Sequence, residues 1–402
     1  MKNKESCIAK LLCTSCKTEF DYKEKHTLCK SCGKVLFPIY DYEKAKETLS
    51  KKSIQSRNIY NIWRLSEIMP VTESRFQFSL GEGWTPIMHL KNSGTHLGLK
   101  NLYLKDEGQN PTGTFKSRGL CAAVSRGLEL GIRDFSIPTA GNAGAALSAY
   151  ATCTGTNAHV FMPEDTPKLL QSTIIALGGD LELVQGLITD AAAKCKLKTK
   201  KNNWFNVSTL KEPYRAEGKK TMAFEVVEQF NWSIPDVIVY PTGGGTGIVG
   251  MWKAFDELEI VGLIGSDRPQ MVTVQSSGCA PMVKAFQEGK KTAEVWENAK
   301  TFALGLRVPV AIGDYLILKA LNESNGTAVE VRDSEILVAM RKLAKIEGIM
   351  QSPEGAATYA GIEKLIDSGF VSSSDSIVLF GTGSGFIYPD FWEKTIHQRE
   401  KI

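Results

Sequence analysis

Apolar positions recur at two spacings along this chain, and the alternation between them lays out most of its elements. Leu120, Val124 and Leu128 share one face of a helix ending at Gly131, and a short apolar run over 135–138 follows. The pattern then repeats. An alanine-rich stretch over 145–153 predicts a helix, 158–162 a strand, 169–177 a helix and 181–184 a strand, with 204–207 closing the series. A second series begins at Asp236-Val237-Ile238-Val239-Tyr240, apolar enough for a strand buried on both faces. It runs through a helix to about Leu258, a strand over 271–275, helical periodicity over 334–347 and 356–366, and a last strand over 376–380. Residues 102–107 form an earlier strand. Strands separated in turn by helices build parallel β-α-β units, so the expected fold class is α/β with two open parallel-sheet domains. The expected division is a small cysteine-rich, zinc-ribbon-like module at 1–45, a large α/β domain from 46–110 with 218–402, and a small α/β domain at 111–217.

Composition narrows the class. The 402 residues, 43% hydrophobic and 23% charged, suit a soluble protein with two packed domains and a small extra module. The net charge of +4 is diffuse, and its one concentrated basic run, 194–201, reads as the exposed end of a helix. No nucleic-acid partner is expected. The first ten residues are polar and charged, unlike a secretory leader, and no apolar run approaches the roughly 20 residues that cross a bilayer. No membrane partner is expected either. Cys7, Cys121, Cys153, Cys195 and Cys279 are scattered without spacing, which suits free thiols in a reducing cytoplasm.

Candidate chemistry concentrates in a few loops. Asn110-Pro111-Thr112-Gly113-Thr114-Phe115-Lys116 is a turn that delivers a lone lysine to the start of a helix. The helix dipole disfavours a cation there and lowers its pKa, which suits Schiff-base chemistry with a carbonyl cofactor; a solvated loop lysine is the alternative. Pro241-Thr242-Gly243-Gly244-Gly245-Thr246-Gly247 joins a buried strand to a helix and forms a candidate phosphate cradle. It lacks the Lys-Ser/Thr ending of a nucleoside-triphosphate loop. Gly245, Gly247 and Gly250 also match a dinucleotide spacing, but the acidic residue expected later falls at Asp267, away from a clear strand end.

In the small-residue loop over 139–144, the Thr139 hydroxyl can hold a carboxylate and the Asn142 amide a cofactor oxygen. Gly381-Thr382-Gly383-Ser384-Gly385 ends the last strand, where Thr382 or Ser384 can meet a ring nitrogen. Each of these loops can equally be a plain turn. Arg215, where one domain hands over to the other, suits a carboxylate or phosphate, or an interdomain salt bridge. None of the five histidines lies in these motifs, which argues against a triad hydrolase. Cys13-x2-Cys16 and Cys29-x2-Cys32 can bring four thiolates to one tetrahedral zinc, a structural site because no position is left open. A reduced, empty ribbon is the alternative.

Taken together, the Lys116 motif, the Asn142 loop, Pro213-Tyr214-Arg215-x-Glu217-Gly218-Lys219, the glycine run and Pro353-Glu354-Gly355 resemble the threonine synthase branch of the tryptophan synthase β-like family of pyridoxal phosphate enzymes, fold type II. The resemblance implies that Lys116 carries pyridoxal 5′-phosphate, in the cleft between the domains, with Phe115 packed on its ring. It places Asn142 at the ring hydroxyl, Gly243, Gly244, Gly245, Thr246 and Gly247 at the phosphate, and Thr382 at the pyridine nitrogen. The implied reaction turns O-phospho-L-homoserine and water into L-threonine and phosphate. Lys116 would move protons at the α and β carbons, while Arg215, Thr209 and Thr139 hold the substrate's two anionic groups. A homodimer is implied by the same analogy. The alternatives are a dehydratase-like β-elimination or β-replacement enzyme for another O-activated amino acid, or a non-catalytic relative. Ile387, Ser384, Ser117 and the segment 166–174 depart from the family pattern.

Overall fold

The computed structural model describes residues 5–396, whose strands form three sheets. Strands β1 (Ile8–Cys13), β2 (Glu19–Phe20) and β3 (Leu36–Tyr40) make a small antiparallel sheet in the order β2-β1-β3. Cys13 ends β1, and Cys16, Cys29 and Cys32 lie in the connections between the sheet's strands. The chain leaves it through two short helices, Tyr42–Lys46 and Lys51–Gln55, each started by a side-chain cap, from Asp41 and Ser50.

Strands β4 (Ile87–His89) and β5 (Asn101–Asp106) then begin a large sheet. The chain next builds a separate four-stranded sheet from β6 (Asp134–Pro138), β7 (Asn157–Pro163), β8 (Asp180–Val184) and β9 (Phe205–Asn206). That sheet is parallel throughout, in the order β8-β7-β6-β9. The chain returns to the large sheet with β10 (Val237–Pro241), β11 (Gln270–Ser276), β12 (Thr327–Val331) and β13 (Ser376–Gly381). Its order is β12-β11-β10-β13-β5-β4, parallel except for the edge strand β4. The expectation of two parallel sheets therefore holds with one antiparallel edge. All five residues of β10 are buried, because helices cover both faces of a parallel sheet.

Some elements escaped the periodicity. The helix Arg215–Gln229 has thirteen consecutive buried residues, including Arg215, Glu217, Lys219 and Lys220. A helix buried on every side carries no apolar stripe, and charged residues hid it further. Strand β4, three residues long, is too short for an alternating signal to stand out, and β12 also escaped. Helix starts also lie earlier than expected: Asn142 and Thr246 are each the first residue of a helix, Asn142–Thr154 and Thr246–Ile260, rather than loop residues. All nine cysteines are free; Cys7, Cys121, Cys195 and Cys279 are buried and Cys153 is exposed. Among the described residues no helix is long and apolar enough to cross a membrane.

Candidate active site

The carboxyl ends of β6, β10 and β13 and the turn after β5 meet around one cavity of about 310 Å³. Ligands of open α/β sheets bind at this end of the strands.

Lys116 opens the helix Lys116–Glu129, and its position is fixed by the charged residues of its own motif. The Arg118 guanidinium donates from Nε to Glu107 at 2.6 Å and from Nη2 to Glu107 at 2.7 Å and Glu225 at 2.7 Å. Lys105 donates to Glu225 at 2.8 Å, and Asn110 Nδ2 donates to Glu107 at 3.0 Å. All five side chains are buried, and the network locks strand β5, the lysine helix and the helix Arg215–Gln229 together. The far side of the turn is held by backbone. Phe115 N–H donates to the Thr382 carbonyl at 3.1 Å, and Ser384 N–H donates to that of Gly113 at 2.8 Å.

The Lys116 amine lies 4.0 Å from the centre of the Phe115 ring. Its pKa falls from the ordinary 10.5 to about 7, chiefly through removal from water and then through the Arg215 charge, with Glu354 opposing. Where the sequence points to the helix dipole, burial and a neighbouring cation supply the shift. On the same ring, 4.1 Å from its centre, sits the fully buried Lys219 amine, which has no hydrogen-bond partner. Burial, with the charges of Lys116 and Arg215, drives Lys219 well below an ordinary lysine.

The glycine run follows β10 directly. Gly245 has φ +79, and a Cβ there would come 2.2 Å from Ile317 Cδ1. A Cβ at Gly243 would meet the Gly305 carbonyl at 2.2 Å, one at Gly244 the Thr209 methyl at 2.7 Å, and one at Gly247 the Tyr240 oxygen at 1.9 Å. No side chain fits on the walled side of this loop. No side chain caps the helix Thr246–Ile260 either, so its first N–H groups are left for a ligand.

The remaining expected residues line the same cavity. Thr139 is buried, and its hydroxyl accepts from Gly141 N–H at 3.0 Å. Asn142 donates from Nδ2 to the Tyr388 oxygen at 2.7 Å, while its Oδ1 is buried without a partner. Arg215 is buried; Nη1 donates to the Val207 carbonyl at 2.7 Å and Nε has no partner. Burial lowers its pKa to about 10, opposed by Glu212. Glu212 accepts from the backbone of Tyr214 at 2.6 Å and Arg215 at 2.9 Å, and burial pushes its carboxyl up to about 7. Thr209 and Thr382 complete the set.

Sequence reasoning missed Lys211, Arg307 and Tyr388, which also line the cavity, as does Leu170 from the segment 166–174. Glu354 lines it too; it stood in a quoted motif without a role, and its Oε1 accepts from Gly305 N–H at 2.7 Å. Two of the departures from the family pattern are packing residues. Ile387 Cγ2 would lie 3.0 Å from a Cβ on Gly113, and Leu170 Cδ1 2.4 Å from one on Gly141.

Away from the cavity, the Sγ atoms of Cys13, Cys16, Cys29 and Cys32 all lie within 4.8 Å of one another. Cys13 and Cys32 are 3.4 Å apart, and Cys16 and Cys29 3.5 Å. Four thiolates at about 2.3 Å from one zinc ion need edges of nearly this length, so the donor set fits such an ion.

Comparison with known proteins agrees with this geometry. A family model described as "Pyridoxal-phosphate dependent enzyme" matches residues 78–383. The chain is 36% identical to the threonine synthase of Methanocaldococcus jannaschii over 381 residues, covering 94% of this chain and 93% of the relative. It is 33% identical to that of Methanosarcina acetivorans, covering 93% and 91%. Among solved structures, maize serine racemase superposes with a TM-score of 0.66 at 22% identity, over 79% of this chain and 94% of the other, a likeness of fold.

Proposed function

We infer the reaction from the family: the chain belongs to the pyridoxal-phosphate-dependent enzymes and, among them, to the threonine synthases. The reaction we assign is conversion of O-phospho-L-homoserine and water to L-threonine and phosphate. One observation carries the substrate. Lys211, Arg215 and Arg307 line the cavity against the carboxylate of Glu354, an excess of positive charge suited to the substrate's two anionic groups.

The residues present fit the cofactor. The amine of Lys116 stands in the cavity with a free-base fraction at neutral pH, the glycine run presents an uncapped helix end, and Asn142 Oδ1 waits without a partner. In this proposal Lys116 holds the carbonyl, the backbone of Gly243, Gly244, Gly245, Thr246 and Gly247 the phosphate, Asn142 the ring hydroxyl, Thr382 the ring nitrogen, and Phe115 one ring face. Bound there, the cofactor supplies an electron sink for negative charge beside the substrate's amino-bearing carbon.

The chain's own residues do the rest. Lys116 takes and returns protons at the α and β carbons, a task for a base titrating near neutrality. Arg215 holds an anionic group of the substrate through its unpartnered Nε, with Thr139 and Thr209 beside it. Arg307 and Lys211 balance the second anionic charge. The proposal extends to the division into domains at 111 and 217, to structural zinc on the four cysteines, to a homodimer, and to the cytoplasm.

The test is to supply cofactor-loaded protein with O-phospho-L-homoserine and follow free phosphate and the amino-acid product. Equal amounts of phosphate and threonine are expected. Phosphate with a 2-oxo acid instead would mean elimination without productive addition of water and would overturn the assigned reaction.

A further inference from the structure

Tyr240 has no role in the reaction as assigned, yet its hydroxyl stands in the site with nothing to bond. It is the fourth of the five buried residues of β10, 1% exposed, and it lines the cavity. Its ring meets Phe115 edge-on, with centres 6.1 Å apart and planes at 80°, and packs on Phe380 at 5.3 Å. Its phenol oxygen is buried and has no hydrogen-bond partner among the described residues.

Gly247 locates that oxygen. A Cβ on Gly247 would come 1.9 Å from it and 2.2 Å from Cζ, so the tip of the phenol fills the space a side chain would take there. Gly247 is the second residue of the helix Thr246–Ile260, whose start no side chain caps. Each Cα–Cβ bond of a helix leans toward the N-terminus, so the oxygen lies on the side to which the free N–H groups point. Burial, with Glu107 adding to it, pushes the phenol well above its ordinary value of 10. The hydroxyl therefore keeps its proton and is a donor. A buried donor left unpaired is costly, and no acceptor of the described chain relieves it. An anion held by the same helix end would.

We propose that Tyr240 is a further cofactor-binding residue: its hydroxyl donates to the phosphate of pyridoxal 5′-phosphate, beside the backbone N–H groups of the glycine run. This rests on the reading that Gly243 to Gly247 hold that phosphate. One side chain then serves two parts of the site. Its ring steadies Phe115, the neighbour of Lys116, while its oxygen meets the anion. The glycine at 247 follows as well, since any side chain there would displace the hydroxyl.

The experiment compares pyridoxal 5′-phosphate with pyridoxal, which lacks the phosphate, by fluorescence titration of the cofactor-free protein. Tyr240→Phe keeps the ring that packs on Phe115 and Phe380. It is expected to weaken pyridoxal 5′-phosphate roughly tenfold, the value of one hydrogen bond to a charged group, and to leave pyridoxal unchanged. Its cofactor-free form should melt no lower than the parent, because the hydroxyl removed had no partner. A lower melting temperature with both ligands weakened alike would mean a structural role and overturn the proposal. An undiminished preference for the phosphate ester in Tyr240→Phe overturns the role of Tyr240 alone. A parent chain that binds both ligands equally well overturns the assignment of the glycine run too.

Discussion

The hydroxyl of Thr14 lies 2.6 Å from the phenol oxygen of Tyr315, and through it the cysteine ribbon grips the helix that backs the glycine run. Thr14 follows Cys13, and the same phenol accepts from the N–H of Val35, just beyond Cys32, at 3.3 Å. Tyr315 belongs to the helix Asp314–Glu323, whose Ile317 packs on Gly245 of the glycine run. A second tie runs from Tyr40 in β3, which donates to Glu217 at 2.6 Å in the Arg215 helix.

If the four thiolates hold zinc, stripping it with a chelator should lower the melting temperature and weaken pyridoxal 5′-phosphate binding, because the ribbon braces these helices. Elemental analysis should find about one zinc per chain. Tyr315→Phe should keep the metal and cost about 1 kcal/mol in urea denaturation. Unchanged stability after complete metal removal would leave the ribbon without a bracing role.

Gly245 and Gly262 both have positive φ, +79 and +76, but only Gly245 is crowded, since nothing lies within 4 Å of a Cβ at Gly262. Gly262→Ala should cost about 1 kcal/mol from backbone strain alone. Gly245→Ala should cost about 1–3 kcal/mol more from overpacking against Ile317, and should sharply reduce cofactor affinity. Paired denaturation and titration curves check both.

Lys116 titrates near 7 when folded and near 10.5 when unfolded. Between those values the unfolded chain binds more protons, so this residue makes stability rise with pH, and its destabilisation is fully present below about pH 7. Lys116→Met should therefore stabilise the cofactor-free protein, on the order of 1–3 kcal/mol after allowance for partial exposure, and the gain should fade as pH rises toward 10.5. The same titration predicts that covalent capture of pyridoxal 5′-phosphate by the parent chain accelerates with pH through about 7, as stopped-flow absorbance would show. Lys116→Ala should fold and lose turnover; retained turnover would remove Lys116 from the mechanism.

Arg118 is bonded to Glu107 and Glu225, all of them buried. Arg118→Met should cost about 3–5 kcal/mol, because two buried carboxylates would lose their guanidinium and keep one bonded ion-pair partner between them, Lys105 on Glu225. Chemical denaturation gives the number. A loss below 1 kcal/mol would mean that the network does not hold the lysine turn.

Local chemistry in the chain was enough to mark the turn before Lys116, the glycine run after a buried strand and the paired CxxC knuckles. In each, short-range rules act alone: turn residues set the backbone, consecutive glycines admit close approach, and fixed spacing gathers thiols. These determined the expected site residues, while the alternation of strand and helix periodicities determined the α/β class. The fold decided what depends on distant segments meeting. Arg118, read only as part of a motif, became the centre of an ion network because Glu225 lies on a helix that has no apolar stripe to betray it. Lys116 owes its lowered pKa to burial and to Arg215, and Tyr388 meets Asn142 across 246 positions of sequence. Burial and charge proximity arise only when segments far apart in sequence pack, so only the tertiary structure could set them.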